Sequence, residues 1–148
     1  MLALFLLLPA LAAPPAEPVA KVGSCPSGYS TSGDFCKPGS SARFAVIKTG
    51  SCPSGYSTSG DYCLAGSSAR HALPKVGSCP SGYSTSGDYC KPGSSARYAV
   101  GKTGSCPSGY SSSGNYCLAG SSTTRLAVPK RGSCPSGFST SGGYCLSN

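Results

Sequence analysis

Chemistry in this chain of 148 residues rests on ten cysteines, because the other reactive side chains are scarce: one histidine, His71, and four acids, Glu17, Asp34, Asp61 and Asp88. The cysteines fall at two recurring positions, Cys25 and Cys36, Cys52 and Cys63, Cys79 and Cys90, Cys106 and Cys117, Cys134 and Cys145, with ten residues between the members of each pair. A zinc array asks for close pairs such as Cys-x-x-Cys, so neither a metal nor another cofactor is expected. An even, evenly spaced set reads instead as a disulfide framework.

General acid/base chemistry is disfavoured by the same scarcity. No copy carries paired carboxylates, and the acidic position runs Asp34, Asp61, Asp88, Asn115, Gly143, a series united by turn formation rather than charge. His71 takes a place held elsewhere by Phe44, Tyr98 and Leu126, and reads as a surface or packing residue. No serine sits in a nucleophile elbow or beside an evident base. The expectation is a protein that is not an enzyme.

The cysteine pairs belong to a repeat. First cysteines at 25, 52, 79, 106 and 134 give steps of 27, 27, 27 and 28 residues, the extra one lying in 121–124. Such a period signals a tandem array. A unit this small cannot hold itself together by a hydrophobic core, since below about 40 residues disulfides, metals or association are needed. With 21 Gly and 13 Pro and no apolar period of a helix, short strands and turns remain. The expected fold is therefore small, disulfide-rich and all-β: a tandem array of five disulfide-stapled β-hairpin repeats of about 27 residues, without a large core. The boundaries read as 1–12 signal peptide, 13–22 Pro-rich lead-in, then repeats 23–49, 50–76, 77–103, 104–131 and a truncated 132–148.

Turn chemistry positions the sulfurs. In Cys25-Pro26-Ser27-Gly28 the Pro and Gly occupy the second and fourth places of a type I turn. Tyr29 to Thr31 then run out, Ser32-Gly33-Asp34 turn, and Phe35 to Lys37 run back, bringing Cys36 towards Cys25. Pairing within each copy is expected, and closing so short a ring stabilises the unit by roughly 3 kcal/mol. Two positions keep an aromatic ring: Tyr29, Tyr56, Tyr83, Tyr110 and Phe138, then Phe35, Tyr62, Tyr89, Tyr116 and Tyr144. Because Phe stands in for Tyr in each series, both places read as needing the ring and not the hydroxyl. The rings are expected to pack across the hairpin and over the disulfide.

The linkers carry the basic charge that sums to +8, in register: Arg43 and Lys48, Arg70 and Lys75, Arg97 and Lys102, Arg125 and Lys130. A separation of five puts Arg and Lys on opposite faces of a short strand. Linkers also alternate between Cys-Lys-Pro-Gly and Cys-Leu-Ala-Gly exits, and 18–23 echoes the second type. Successive units are thus expected in alternating orientations along a rod.

Leu2 to Leu8 form an apolar run reaching Pro9-Ala10-Leu11-Ala12, a secretory signal pattern with cleavage expected after Ala12. It falls short of the roughly 20 residues that span a bilayer, so no transmembrane segment is expected after cleavage. At Cys-Pro-Ser-Gly-Tyr the sequence resembles the closing portion of EGF-like modules, which form extracellular tandem arrays. The resemblance spans five residues per copy, and with two cysteines per copy in place of six it brings neither their three-disulfide fold nor their calcium sites.

These features point first to a secreted, non-enzymatic repeat protein with a structural or adhesive role at a cell surface or in extracellular matrix. A second reading is a multivalent array for acidic glycans or anionic surfaces, using Tyr29, Tyr56, Tyr83 and Tyr110 with Arg43, Arg70, Arg97 and Arg125. A cationic antimicrobial or toxin-like protein ranks third, and self-association is a further partner mode. Secretion argues against nucleic acid. Exposure of the aromatic rings separates the first two readings: buried rings favour structure, a row of exposed rings favours glycans.

Overall fold

The computed structural model describes residues 16–67, 69–94, 96–120 and 125–148. The expected signal peptide and the inserted residue within 121–124 lie outside the described residues. In chain order the strands are β1 (Val19–Ala20), β2 (Tyr29–Ser32), β3 (Phe35–Pro38), β4 (Ala45–Ile47), β5 (Tyr56–Ser59), β6 (Tyr62–Ala65), β7 (Leu73–Pro74), β8 (Tyr83–Ser86), β9 (Tyr89–Pro92), β10 (Ala99–Gly101), β11 (Tyr110–Ser113), β12 (Tyr116–Ala119), β13 (Ala127–Pro129), β14 (Phe138–Ser141) and β15 (Tyr144–Ser147).

The hairpins follow from their turns. The Tyr29 N–H donates to the Pro26 carbonyl at 3.0 Å, closing the turn after Cys25. Gly28 there has φ of 88°, and a Cβ on it would sit 3.2 Å from the Ala42 Cα, so glycine is required twice over. Ser32 pairs with Phe35 across Gly33-Asp34, and Gly33 supplies the positive φ that a two-residue type II′ turn needs at its first position. Each copy closes its own disulfide, Cys25 to Cys36, Cys52 to Cys63, Cys79 to Cys90, Cys106 to Cys117 and Cys134 to Cys145, with Cα atoms 5.6 or 5.7 Å apart.

A third strand completes each sheet, and it comes from the linker ahead of the hairpin. The antiparallel orders are β1-β3-β2, β4-β6-β5, β7-β9-β8, β10-β12-β11 and β13-β15-β14, with the return strand always central. Val46 thus pairs with Cys63, and Val100 with Cys117. A sheet therefore crosses each sequence join, such as that between 49 and 50.

The five sheets close into a ring rather than extending as a rod. Linker strands touch in succession, β1 with β4, β4 with β7, β7 with β10 and β10 with β13. The last sheet meets the first where Phe35 packs with Val128 and Cys145, and where the Lys37 ammonium donates to Ser136. Near-identical joints repeat one rotation, and in a repeat array curvature is the accumulated rotation per unit. Five steps return to the start. The expected alternation of orientation does not occur, because all five linker strands occupy the same inner place. The apolar interior is divided into small clusters along the joints, such as Phe44, Val46, Cys63, Ala65, Ala69 and Tyr89, and the described residues form no single large core.

Candidate functional site

The joints account for both aromatic series, and differently from the sequence reading. Across a hairpin Tyr29 faces Pro38 and Phe35 faces Ser32, so the two rings do not pair with each other. The second ring instead reaches the preceding copy's disulfide: the Tyr62 hydroxyl lies 3.7 Å from Cys36 Sγ, Tyr89 3.5 Å from Cys63 Sγ, Tyr116 3.6 Å from Cys90 Sγ and Tyr144 3.4 Å from Cys117 Sγ. These rings are fully buried. Their hydroxyls are used, contrary to expectation. Tyr62 accepts from the Val22 N–H and donates to the Ala20 carbonyl, both at 2.7 Å; Tyr89 does the same with Thr49 and Ile47, Tyr116 with Val76 and Pro74, and Tyr144 with Thr103 and Gly101.

The first ring is half-buried, and its hydroxyl donates to a linker carbonyl: Tyr29 to Arg43, Tyr56 to Arg70, Tyr83 to Arg97 and Tyr110 to Arg125. Phe138, at the same place in the fifth copy, has no hydroxyl to donate. A row of exposed rings is not what this geometry presents. The candidate arginines are partly committed too, since Arg43 donates to the Ala65 carbonyl, Arg70 to Pro92 and Arg125 to Ser147.

The linker strands surround an axial cavity of about 340 Å³. Register places one residue from each copy in a common layer at its inner end: Glu17, Phe44, His71, Tyr98 and Leu126, each two residues before the position shared by Val19, Val46, Leu73, Val100 and Val128. In a chain of near-identical copies, this layer holds five different residue types. The His71 ring lies 5.2 Å from Phe44 and 5.0 Å from Tyr98 between centroids. The Tyr98 hydroxyl sits 3.1 Å from both carboxyl oxygens of Glu17.

Burial sets the protonation of this layer. The Glu17 residue keeps some exposure, yet its carboxyl is enclosed, and loss of water pushes its pKa up to about 8 against the opposing hydrogen bond from Tyr98. His71 is pushed down to about 4 by burial, partly countered by the Ala99 carbonyl, so it is neutral at pH 7. Its Nε2 lies 3.4 Å from that carbonyl, which makes Nε2 the protonated nitrogen. Nδ1 is then an acceptor, and it is buried without a hydrogen-bond partner among the described residues. Among the described residues no group of His, Cys, Asp and Glu is arranged to hold a metal ion.

Arg and Lys do not lie on opposite faces of one strand, because they flank it. Arg43, Arg70, Arg97 and Arg125 surround the end of the ring nearest the axial layer, joined by Lys37 and Lys91, which reach Ser136 and Ser54. Lys21, Lys48, Lys75, Lys102, Lys130 and Arg131 surround the other end. Asp34, Asp61 and Asp88 lie there as well, since their carbonyls accept from the N–H groups of Lys21, Lys48 and Lys75. The arginine end has six cations and, among the described residues, no carboxylate side chain except the inward-turned Glu17.

Glu17 is the residue that sequence reasoning missed. The signal for it was present: extending the 18–23 echo of the second linker type back by one residue aligns Glu17 with His71. Sheets arranged radially about a channel, each giving it one inner strand, define a propeller-like ring of five blades, here a cysteine-rich one with a disulfide in every blade. Comparison with protein-family models, with curated proteins and with solved structures finds no match. Five disulfides fit an oxidising, extracellular setting, and among the described residues no helix is long and apolar enough to cross a membrane.

Proposed function

We propose that the protein is a secreted, non-enzymatic adhesive module whose arginine end attaches to acidic glycans at a cell surface or in extracellular matrix. The observation that carries this reading is the charge of that end: Arg43, Arg70, Arg97, Arg125, Lys37 and Lys91 in repeated positions, with Glu17 turned away. Contacts from several copies act together, so weak single contacts sum to useful avidity. Each guanidinium that gives one N–H to a neighbouring carbonyl retains further donors, which suits it to sulfate or carboxylate groups. With one ring series buried and the other half-buried, the rings support the structural side of this reading, and its adhesive side rests on charge.

The test is retention on an immobilised sulfated polysaccharide, read as the salt needed for elution. A variant carrying Lys37→Gln, Lys91→Gln and Arg97→Gln should elute at clearly lower salt, since exposed charges are screened beyond roughly 8 Å at physiological ionic strength. A matched variant at the opposite end, Lys48→Gln, Lys75→Gln and Lys102→Gln, should shift elution less. Equal shifts would mean that net charge alone binds, and would remove the arginine end as the docking face.

A further inference from the structure

Burial along the linker strands gives the axial cavity one closed end and one open end. At the closed end Phe44, His71, Tyr98 and Leu126 are buried. Five residues further along each strand, about 16 Å at a rise of roughly 3.3 Å per residue, stand Val22, Thr49, Val76, Thr103 and Arg131, all exposed. Val22 and Val76 are the exposed large apolar side chains among the described residues, and both stand at this mouth. Between the two ends the wall is apolar and includes Val19, Ala45, Leu73, Ala99 and Val128. Gly101 widens it: a Cβ there would meet nothing within 4 Å, whereas the same place in the second copy holds Ile47. The volume lies at the small end of the range for ligand pockets, roughly 300–1,000 Å³.

Arg131 sets the polarity of the mouth. It is the one cation among the described lining residues, in a place that the other copies fill with Val or Thr. Its guanidinium lies near enough to the Tyr62 hydroxyl to act on that group's ionisation, and the same hydroxyl accepts from the Val22 N–H. Among the described residues the guanidinium has no hydrogen-bond or ion-pair partner. The Asp34 carboxylate is a neighbour of this segment, since a Cβ on Gly132 would collide with it.

We propose that this cavity binds an aliphatic monocarboxylate of medium chain length, its tail along the linker strands and its carboxylate at the mouth on Arg131. A guanidinium takes a carboxylate through two parallel N–H···O bonds. The tail entering past Val22 and Val76 covers apolar surface that otherwise faces water. The reverse orientation is disfavoured, because the closed end already holds the Glu17 carboxyl and no Lys or Arg lines it among the described residues. An amine of the same length would set its ammonium beside Arg131, and an alcohol would forgo the ion pair.

Titration calorimetry of the oxidised protein at pH 7 with butanoate, hexanoate, octanoate, 1-octanol and octylamine tests the site. Octanoate should bind, with affinity falling about fourfold for each methylene removed along the acid series. Octanol should bind about tenfold more weakly, and octylamine more weakly still. Arg131→Gln, a change at the surface, should weaken octanoate about tenfold, as expected for loss of a charge-assisted hydrogen bond, and leave octanol unchanged. Asp34→Asn, which repeats Asn115, should tighten octanoate by removing a neighbouring anion. Gly101→Ile, which repeats Ile47, should fill the cavity and abolish binding of octanoate and octanol alike, with a melting temperature no lower than the parent's. Octanol or octylamine binding as tightly as octanoate, or octanoate affinity unchanged in Arg131→Gln or in Gly101→Ile, would overturn the proposal.

Discussion

Phe35 of the first hairpin packs against Val128 of the last linker strand, and this contact joins the two ends of the repeat series. It also marks the one joint that differs in kind. At the other four joints a tyrosine hydroxyl bridges a linker N–H and carbonyl; here the register offers the Arg131 N–H and Pro129 carbonyl, and the ring has no hydroxyl. Phe35→Tyr should therefore supply the missing bridge and stabilise the ring by about 1 kcal/mol, the net worth of an ordinary hydrogen bond. Tyr89→Phe should do the reverse and cost more, about 1–3 kcal/mol, because it strips the partner from the Thr49 N–H and Ile47 carbonyl. Thermal denaturation of the two variants measures both; a destabilised Phe35→Tyr would mean that the closing joint does not share the geometry of the others.

Removing one staple should be felt beyond its own copy. Tyr116 rests on the Cys79–Cys90 sulfurs and packs there with Leu73 and Ala99. A linear array would confine the damage to one unit, whereas a ring whose linker strand and hairpin interlock with neighbours should not. Cys79→Ser with Cys90→Ser is expected to cost roughly 3 kcal/mol and to lower amide protection in the fourth copy as well as the third. Hydrogen exchange resolved by copy decides this, and protection lost from the third copy alone would count against interlocking.

What the sequence made legible was whatever one copy determines within itself. The turns at Gly28 and Gly33, the strand pair between them and the Cys25–Cys36 bond all follow from residues within a few positions of one another. Hidden from it was anything set between copies. Tyr62 reads as a ring that tolerates Phe, because Phe35 occupies the same place; only the fold reveals that its hydroxyl bridges residues 40 and 42 positions away. Closure itself depends on a rotation per joint, and no residue type encodes an angle. Glu17 was obscured differently, by standing in what reads as a Pro-rich lead-in when its strand is the inner strand of the first blade.

Stability should respond to pH through two members of the axial layer that act in opposite senses. Burial raises Glu17 to about 8, so its neutral form is favoured by folding, and stability is lost as pH rises from the unfolded value near 4.5 through 8. Burial lowers His71 to about 4, so stability is present above its unfolded value of 6.5 and lost as pH falls through 4. Between pH 4.5 and 6.5 the two slopes oppose each other. The melting temperature should thus vary little there and fall between pH 6.5 and 8. Glu17→Gln should remove that fall, and His71→Phe should remove the loss at low pH. Melting curves with the same alkaline limb in wild type and Glu17→Gln would show that the carboxyl is not desolvated.

Ring closure can be tested through connectivity, because the chain's last described residue lies one short link from the first blade's inner strand. The Asn148 N–H donates to the Gly137 carbonyl just as Gly39 donates to Gly28 and Gly66 to Gly55. Asn148 is therefore the counterpart of Gly39, as Glu17 is of Phe44, and the link between Gly39 and Phe44 is Ser40-Ser41-Ala42-Arg43. A circular permutant that joins Asn148 to Glu17 through Ser-Ser-Ala-Arg and opens the chain between Ser40 and Ser41 keeps every blade and replaces one exposed link by another. Exposed loops are where permutation is tolerated. The permutant should form all five disulfides and melt at or above the temperature of the parent. An open rod would instead place Asn148 and Glu17 at opposite ends, so that a four-residue link could not span them; failure to oxidise, or a collapse in melting temperature, would refute the ring.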